Sequence, residues 1–228
     1  GAAPAPFDFL RIPAVWMCFA FFFVYAVVLS VIQAFAPEAA RQLHGVPVGL
    51  VAACLTIYMV CSAGGMLVGG FLASDPARCE RVVAMGFGMA ALVALAIGVA
   101  PVPALAIPAL FGAMGFASGI AGPSRDLLVK RSTPENASGR VFGIVYSGLD
   151  IGQAAAPLVF GSLMDRGHYT GVWLGLGAMQ ALLVARAFNV RRARLKPGIV
   201  APVVRKDGTR REPGEIDMYI VRENTEGE

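Results

Sequence analysis

The sequence predicts an all-α membrane protein, a six-transmembrane-helix bundle followed by a polar, poorly ordered C-terminal tail. Three observations carry this prediction. Hydrophobic residues make up 57% and charged residues 15% of the 228, at a mean hydropathy of +0.66, a combination foreign to water-soluble domains. Charge is unevenly spread, with 9 basic and 8 acidic residues in 1–185 against 10 and 7 in 186–228. The chain therefore divides into a six-span body at 1–185 and a tail at 186–228. Finally, apolar runs recur at the length a bilayer demands, roughly 20 residues for a core about 30 Å thick.

Taken in order, the runs are Pro13–Phe35, Pro47–Leu72, Val82–Ala100, Pro103–Ile120, Val141–Met164 and Thr170–Ala185. Arg11 precedes the first, and the second enters at a proline and closes on glycines. Arg81 precedes the third, which is separated from the fourth only by Pro101–Pro103, a tight hairpin. Arg140 precedes the fifth, and the sixth lies between Arg166 and Arg186. Buried helices of a soluble domain would show polar outer faces that these runs lack.

Lys and Arg in the connections set the orientation. Seven (Arg11, Arg78, Arg81, Arg125, Lys130, Arg131, Arg140) fall on the N-terminal side, and two (Arg41, Arg166) fall on the other. Both termini are thus expected in the cytoplasm, as an even number of spans requires. The net charge of +4 forms no basic stripe, so no nucleic-acid partner is expected. Cys18, Cys54, Cys61 and Cys79 lack metal-ligand spacing, and neither a disulfide framework nor a metal site is expected. Residues 1–7 lack the basic flank of a signal peptide, and the sequence reads as beginning within a longer product.

Glycines recur four residues apart at Gly65/Gly69, Gly115/Gly119, Gly148/Gly152 and Gly171/Gly175, the spacing of closely packed helix faces in lipid. Asp150 lies ten residues past Arg140, roughly 15 Å deep. A carboxylate there is either a proton-coupling or substrate-binding group or a neutral, hydrogen-bonded packing residue. Tyr25, Tyr58 and Gln180 fall at similar depth, with Gln153 one turn beyond Asp150. They read as a shared substrate path or as separate interhelical hydrogen bonds. His44 and His168 read as solvated loop residues, and Trp16 and Trp173 as anchors at the membrane interfaces.

Gly69-Gly70-Phe71-Leu72-Ala73-Ser74-Asp75, with Arg78 and Arg81, resembles the glycine, aspartate and basic-residue loop after the second helix of each half of major facilitator superfamily transporters, with Ser74 inserted before the Asp. Gly148-Leu149-Asp150-Ile151-Gly152, Ala156-Pro157 and Gly161 are similar to that family's glycine-proline helix, Ala156 standing for the usual Gly. The connection Pro123-Ser124-Arg125-Asp126-Leu127-Leu128-Val129, running to Gly139-Arg140-Val141-Phe142-Gly143, also resembles bacterial facilitators. The resemblance covers about 8–185 and implies the C-terminal half of such a transporter in a bacterial cytoplasmic (inner) membrane. It further implies gating and packing roles for Gly69, Gly70, Asp75, Arg78, Arg81, Gly152 and Pro157. The implied partners are the bilayer, a missing N-terminal six-helix half and a small-molecule substrate.

In the tail, Met218–Val221 reads as a short strand with no good partner nearby. The segment ending Val221-Arg222-Glu223-Asn224-Thr225-Glu226-Gly227-Glu228 resembles the NAD-dependent isopropylmalate, isocitrate and tartrate dehydrogenases. That resemblance implies that Arg191 and Arg222 match carboxylate-binding arginines, vestigial here. The family's catalytic lysine, metal-binding aspartates and nucleotide-binding segment are not in this sequence, and about 40 residues cannot form an α/β core. No enzyme activity and no cofactor are expected, with NAD and a divalent metal entering only if a complete dehydrogenase follows. The function read from the sequence is transport of a small solute, an organic acid being hinted at as substrate only by the neighbouring dehydrogenase segment. The alternative is a membrane-fused or misjoined fragment of a 2-hydroxy-acid decarboxylating dehydrogenase.

Overall fold

A computed structural model of the protein describes residues 13–73, 79–132, 138–187, 190–194, 203–204, 210–211 and 217–221. Two compact units emerge, Gly1–Ala187 and Phe188–Glu228. In the first, helices α1 (Pro13–Ala34), α2 (Ala36–His44), α3 (Val48–Leu72), α4 (Cys79–Val99), α5 (Ile107–Ser132), α6 (Ser138–Ala156), α7 (Ser162–Asp165) and α8 (Tyr169–Ala187) follow in order.

Helix covers each of the six predicted runs, with differences that have physical causes. Three helical stretches, Val48–Leu72, Cys79–Val99 and Ala104–Leu127, are long and apolar enough to cross a bilayer. A fourth forms if α1 and α2, bent by 53°, are taken as one broken span. The fifth run is interrupted: after Pro157, whose missing N–H breaks the regular ladder, Pro157–Gly161 widens into a π-turn before α7. The sixth holds a shorter apolar stretch, Tyr169–Ala185.

Two elements were not expected. Helix α2 buries Ala36, Pro37, Ala39 and Ala40 and turns Glu38, Arg41 and Gln42 outward. Hydrogen bonds from Arg41 and then Gln42 hold the Glu38 carboxyl below the usual carboxylate range. Gly45, at φ +66°, ends the helix, a conformation open to glycine at little steric cost. The predicted loop from 121 to 140 is largely helix, because α5 runs through Pro123 to Ser132 and α6 starts at Ser138. Basic residues mark where an apolar run stops; they do not stop a helix.

Packing is built on the glycines. A Cβ on Gly65 or Gly69 would collide with the backbone of Phe116 or Ile120, and one on Gly115 or Gly119 with that of Tyr58 or Ser62. α3 and α5 thus press backbone to backbone along two reciprocal glycine pairs, the close approach that stabilises helices in lipid. Gly148 and Gly152 do the same for α6 on Phe19 and Phe23 of α1. Gly175 meets the Phe160 ring, but Gly171 has only ordinary van der Waals neighbours, so the fourth pair makes no such seam.

Two side chains depart from their predicted surroundings. Trp173 is fully buried, its ring edge-on to Phe111 at 5.6 Å and its Cβ beside Gly98. It is a core residue because α8 presents this face to α4 and α5, and only Trp16, 49% exposed, suits an interfacial position. His44 is half-buried, and its Nε2 donates to the Ile97 carbonyl at 2.7 Å, fastening α2 to α4. His168 is exposed as expected.

The second unit corrects the tail. Strand β4 (Asp217–Val221) has a partner after all: it pairs antiparallel with β1 (Val190–Arg194), placing Arg191 opposite Ile220. β2 (Val203–Val204) and β3 (Arg210–Arg211) form a second antiparallel pair. β1 escaped notice because three of its five residues are arginine, which hides any apolar alternation.

Candidate functional site

The residues that meet inside the bundle come from α1, α3, α4 and α5. Phe22 and Tyr25 lie three residues apart on α1, hence on one face. Arg125 of α5 lies against them, its guanidinium carbon 4.2 Å from the centre of the Tyr25 ring and 5.9 Å from that of Phe22. Phe87 of α4 closes on Tyr25 edge-on at 6.2 Å. Because Cα–Cβ bonds tilt toward a helix N-terminus, Arg125 reaches back along α5 toward the middle of α1, where Tyr25 is the thirteenth of 22 residues.

The Arg125 side chain keeps only 11% of its surface exposed. Nε donates to Oδ1 of Asp126 at 2.8 Å and Nη2 forms an ion pair with the same oxygen at 2.7 Å, whereas Nη1 is buried with no hydrogen-bond partner among the described residues. Taking a charge out of water costs several kcal/mol. The Asp126 pair and the ring faces offset part of that, a desolvated cation–π contact contributing about 2 kcal/mol. Ser124 beside it is fully buried, and its hydroxyl too has no partner among the described residues.

One face of α5 carries the site further. Ser118, two turns before Arg125, lies beside the buried Tyr58 of α3. Tyr25 and Tyr58 are thus ranged along the same helix. Asp150 and Gln153 are not with them. Asp150 lies two residues from both Gly148 and Gly152, the glycines seated on α1, so it points to the opposite side of α6 and is exposed, as is Gln153. Gln180, fully buried on α8, leaves both amide atoms without partners among the described residues.

Of the glycine-loop residues, Gly69 is buried on Ile120, while Gly70 and Arg81 are exposed. Asp75 and Arg78 lie outside the described residues. Gly152 packs on Phe23 and Ala26, and Pro157 opens the π-turn. In the tail, Arg191 is placed by its backbone in β1, and Arg222 lies outside the described residues.

Sequence reasoning missed Arg125, which it counted as a loop cation. The signal was available: Leu127, Leu128 and Val129 resume the apolar run beyond it, so the charge interrupts the run without ending it.

The family model of the Major Facilitator Superfamily matches residues 17–206. The chain belongs to this superfamily. Membership makes it an integral membrane protein of a class of secondary transporters, whose fold is all-α. A separate similarity covers 40 residues, 52% identical to the D-malate dehydrogenase [decarboxylating] of Escherichia coli (strain K12) and amounting to 18% of this chain. The chain spans about a tenth of the length of that curated relative, 10%. No solved structure matches this superfamily member.

Proposed function

We propose that this chain supplies one six-span half of a secondary transporter for a small solute, in a bacterial cytoplasmic membrane with both ends inside. Membership of the Major Facilitator Superfamily is the observation that carries the reading. Transporters of this build rock two six-helix units about a site near the bilayer midplane, so a second unit completes the path. The outer face of α6 supports such a partner: Asp150 and Gln153 are exposed on it, and a carboxylate facing hydrocarbon would cost several kcal/mol. Set against a second unit or a water-filled path, that face becomes tolerable. In this reading Asp150 couples protons or contacts substrate with Gln153 on the outer face of α6, Tyr25, Tyr58 and Gln180 contribute from inside the bundle as helices rock, and the Gly69–Arg81 region gates the path.

A second reading follows from the similarity to the decarboxylating D-malate dehydrogenase. The tail would then be a joined piece of a 2-hydroxy-acid dehydrogenase, with Arg191 and Arg222 as relics of carboxylate binding. A piece of about 40 residues is too small for a catalytic core, so this reading assigns the chain no reaction. NAD and a metal would belong to a fuller enzyme.

In proteoliposomes holding the complete transporter, Asp150→Asn is expected to abolish uptake or flatten its pH dependence. The measurement is uptake rate between pH 5 and 8. A variant with the pH profile of the parent would remove Asp150 from coupling.

A further inference from the structure

We infer that Arg125, walled by Tyr25 and Phe22, binds the carboxylate of a small organic monoanion. The inference rests on the transport reading and gives it a substrate class. A guanidinium has five N–H donors in a fixed fork. In Arg125 the edge made by Nε and Nη2 is taken by Asp126, whereas Nη1 has no partner among the described residues although it is buried. The end edge, formed by Nη1 with the second N–H of Nη2, has the geometry of two parallel donors. That is the spacing a carboxylate accepts in a bidentate pair.

The surroundings select the rest of the ligand. The Tyr25 ring at 4.2 Å and the Phe22 ring at 5.9 Å offer apolar walls, which suit an organic body better than a hydrated inorganic anion. Arg125 brings one positive charge, already shared with Asp126, so a single negative charge is the most the site can balance. Asp126 is 62% exposed and can turn to water when an anion arrives, leaving the full guanidinium charge to the ligand. The unpartnered Ser124 hydroxyl, next in sequence, supplies a further polar group in the same stretch of α5.

The test is calorimetric titration of the purified chain in lipid nanodiscs at constant ionic strength. Acetate, lactate and benzoate are the carboxylate probes, benzamide the neutral counterpart and phosphate the inorganic one. At least one carboxylate is expected to bind, with benzamide silent and phosphate about 10-fold weaker or worse, because the bidentate geometry and the ring walls favour the planar organic anion. Arg125→Lys keeps a cation under the rings but loses the fork, and should weaken carboxylate binding about 10-fold. Its near-ultraviolet circular dichroism should match the parent, which separates a binding defect from misfolding. Tyr25→Ala should weaken benzoate more than acetate. Failure of all three carboxylates to bind, or undiminished binding by folded Arg125→Lys, overturns the assignment. Carboxylate binding that depends on Arg125 without any transport by the complete protein keeps the site and overturns the transport reading. Transport without carboxylate binding does the reverse.

Discussion

Gly65→Leu is expected to destabilise the bundle by at least about 3 kcal/mol, while Gly64→Leu, one residue earlier on the same helix, changes stability little. Ordinary overpacking costs roughly 1–3 kcal/mol because neighbouring side chains can shift. At Gly65 the neighbour is the backbone of Phe116 and Ile120, which has no rotamer to change. The whole of α3 would have to lift from α5, and the reciprocal contacts of Gly69, Gly115 and Gly119 would open with it. Gly64 has nothing within 4 Å of its Cβ position, so a side chain there starts into open space, and the helix-propensity gain over glycine is under about 1 kcal/mol. Thermal unfolding of both variants in the same detergent checks the pair. Equal midpoints would show that α3 and α5 do not meet along this seam.

Trp173→Ala should cost about 3–5 kcal/mol, the range for emptying a large aromatic site in a core. The ring is fully buried and edge-on to Phe111, with its Cβ against Gly98, so α8, α5 and α4 all lose contacts. Its Nε1 has no hydrogen-bond partner among the described residues. Trp173→Phe should therefore be much milder, since it keeps most of the packing and removes a donor that is costly to bury. Unfolding midpoints in the order parent, Phe, Ala are expected. An interfacial tryptophan would instead give a small change for alanine, and that result would return Trp173 to the membrane surface.

These two sites differ in how openly the sequence declares them. The seam was legible because close approach in lipid needs small residues at i and i+4, and Gly65, Gly69, Gly115, Gly119, Gly148 and Gly152 declare it in one dimension. Gly171 and Gly175 carry the same spacing without the same seam, because spacing gives a helix face and not the neighbour it meets. Trp173 was misread for a related reason: its distance from the end of a run gives depth, whereas burial depends on which way α8 is turned. His44 was misread because its acceptor, the Ile97 carbonyl, is 53 residues away. Arg125 was lost to the rule that basic residues mark loops, which holds until aromatic faces and an adjacent carboxylate make a buried guanidinium tolerable. Depth alone grouped Tyr25 and Tyr58 with Asp150, which faces the other side of α6.

Labelling single cysteines in right-side-out vesicles with a membrane-impermeant thiol reagent tests the six-span bundle most directly. The native cysteines start from a favourable background, since Cys18, Cys54 and Cys79 are buried and Cys61 is half-buried. Val102→Cys and His168→Cys probe two connections on one face, and Ser74→Cys and Thr133→Cys probe two on the other. A bundle with six crossings and cytoplasmic ends gives labelling at 102 and 168 from outside, and at 74 and 133 only after the membrane is opened. Labelling of 102 and 133 from the same side, or release of the protein from membranes by alkaline washing, would contradict it.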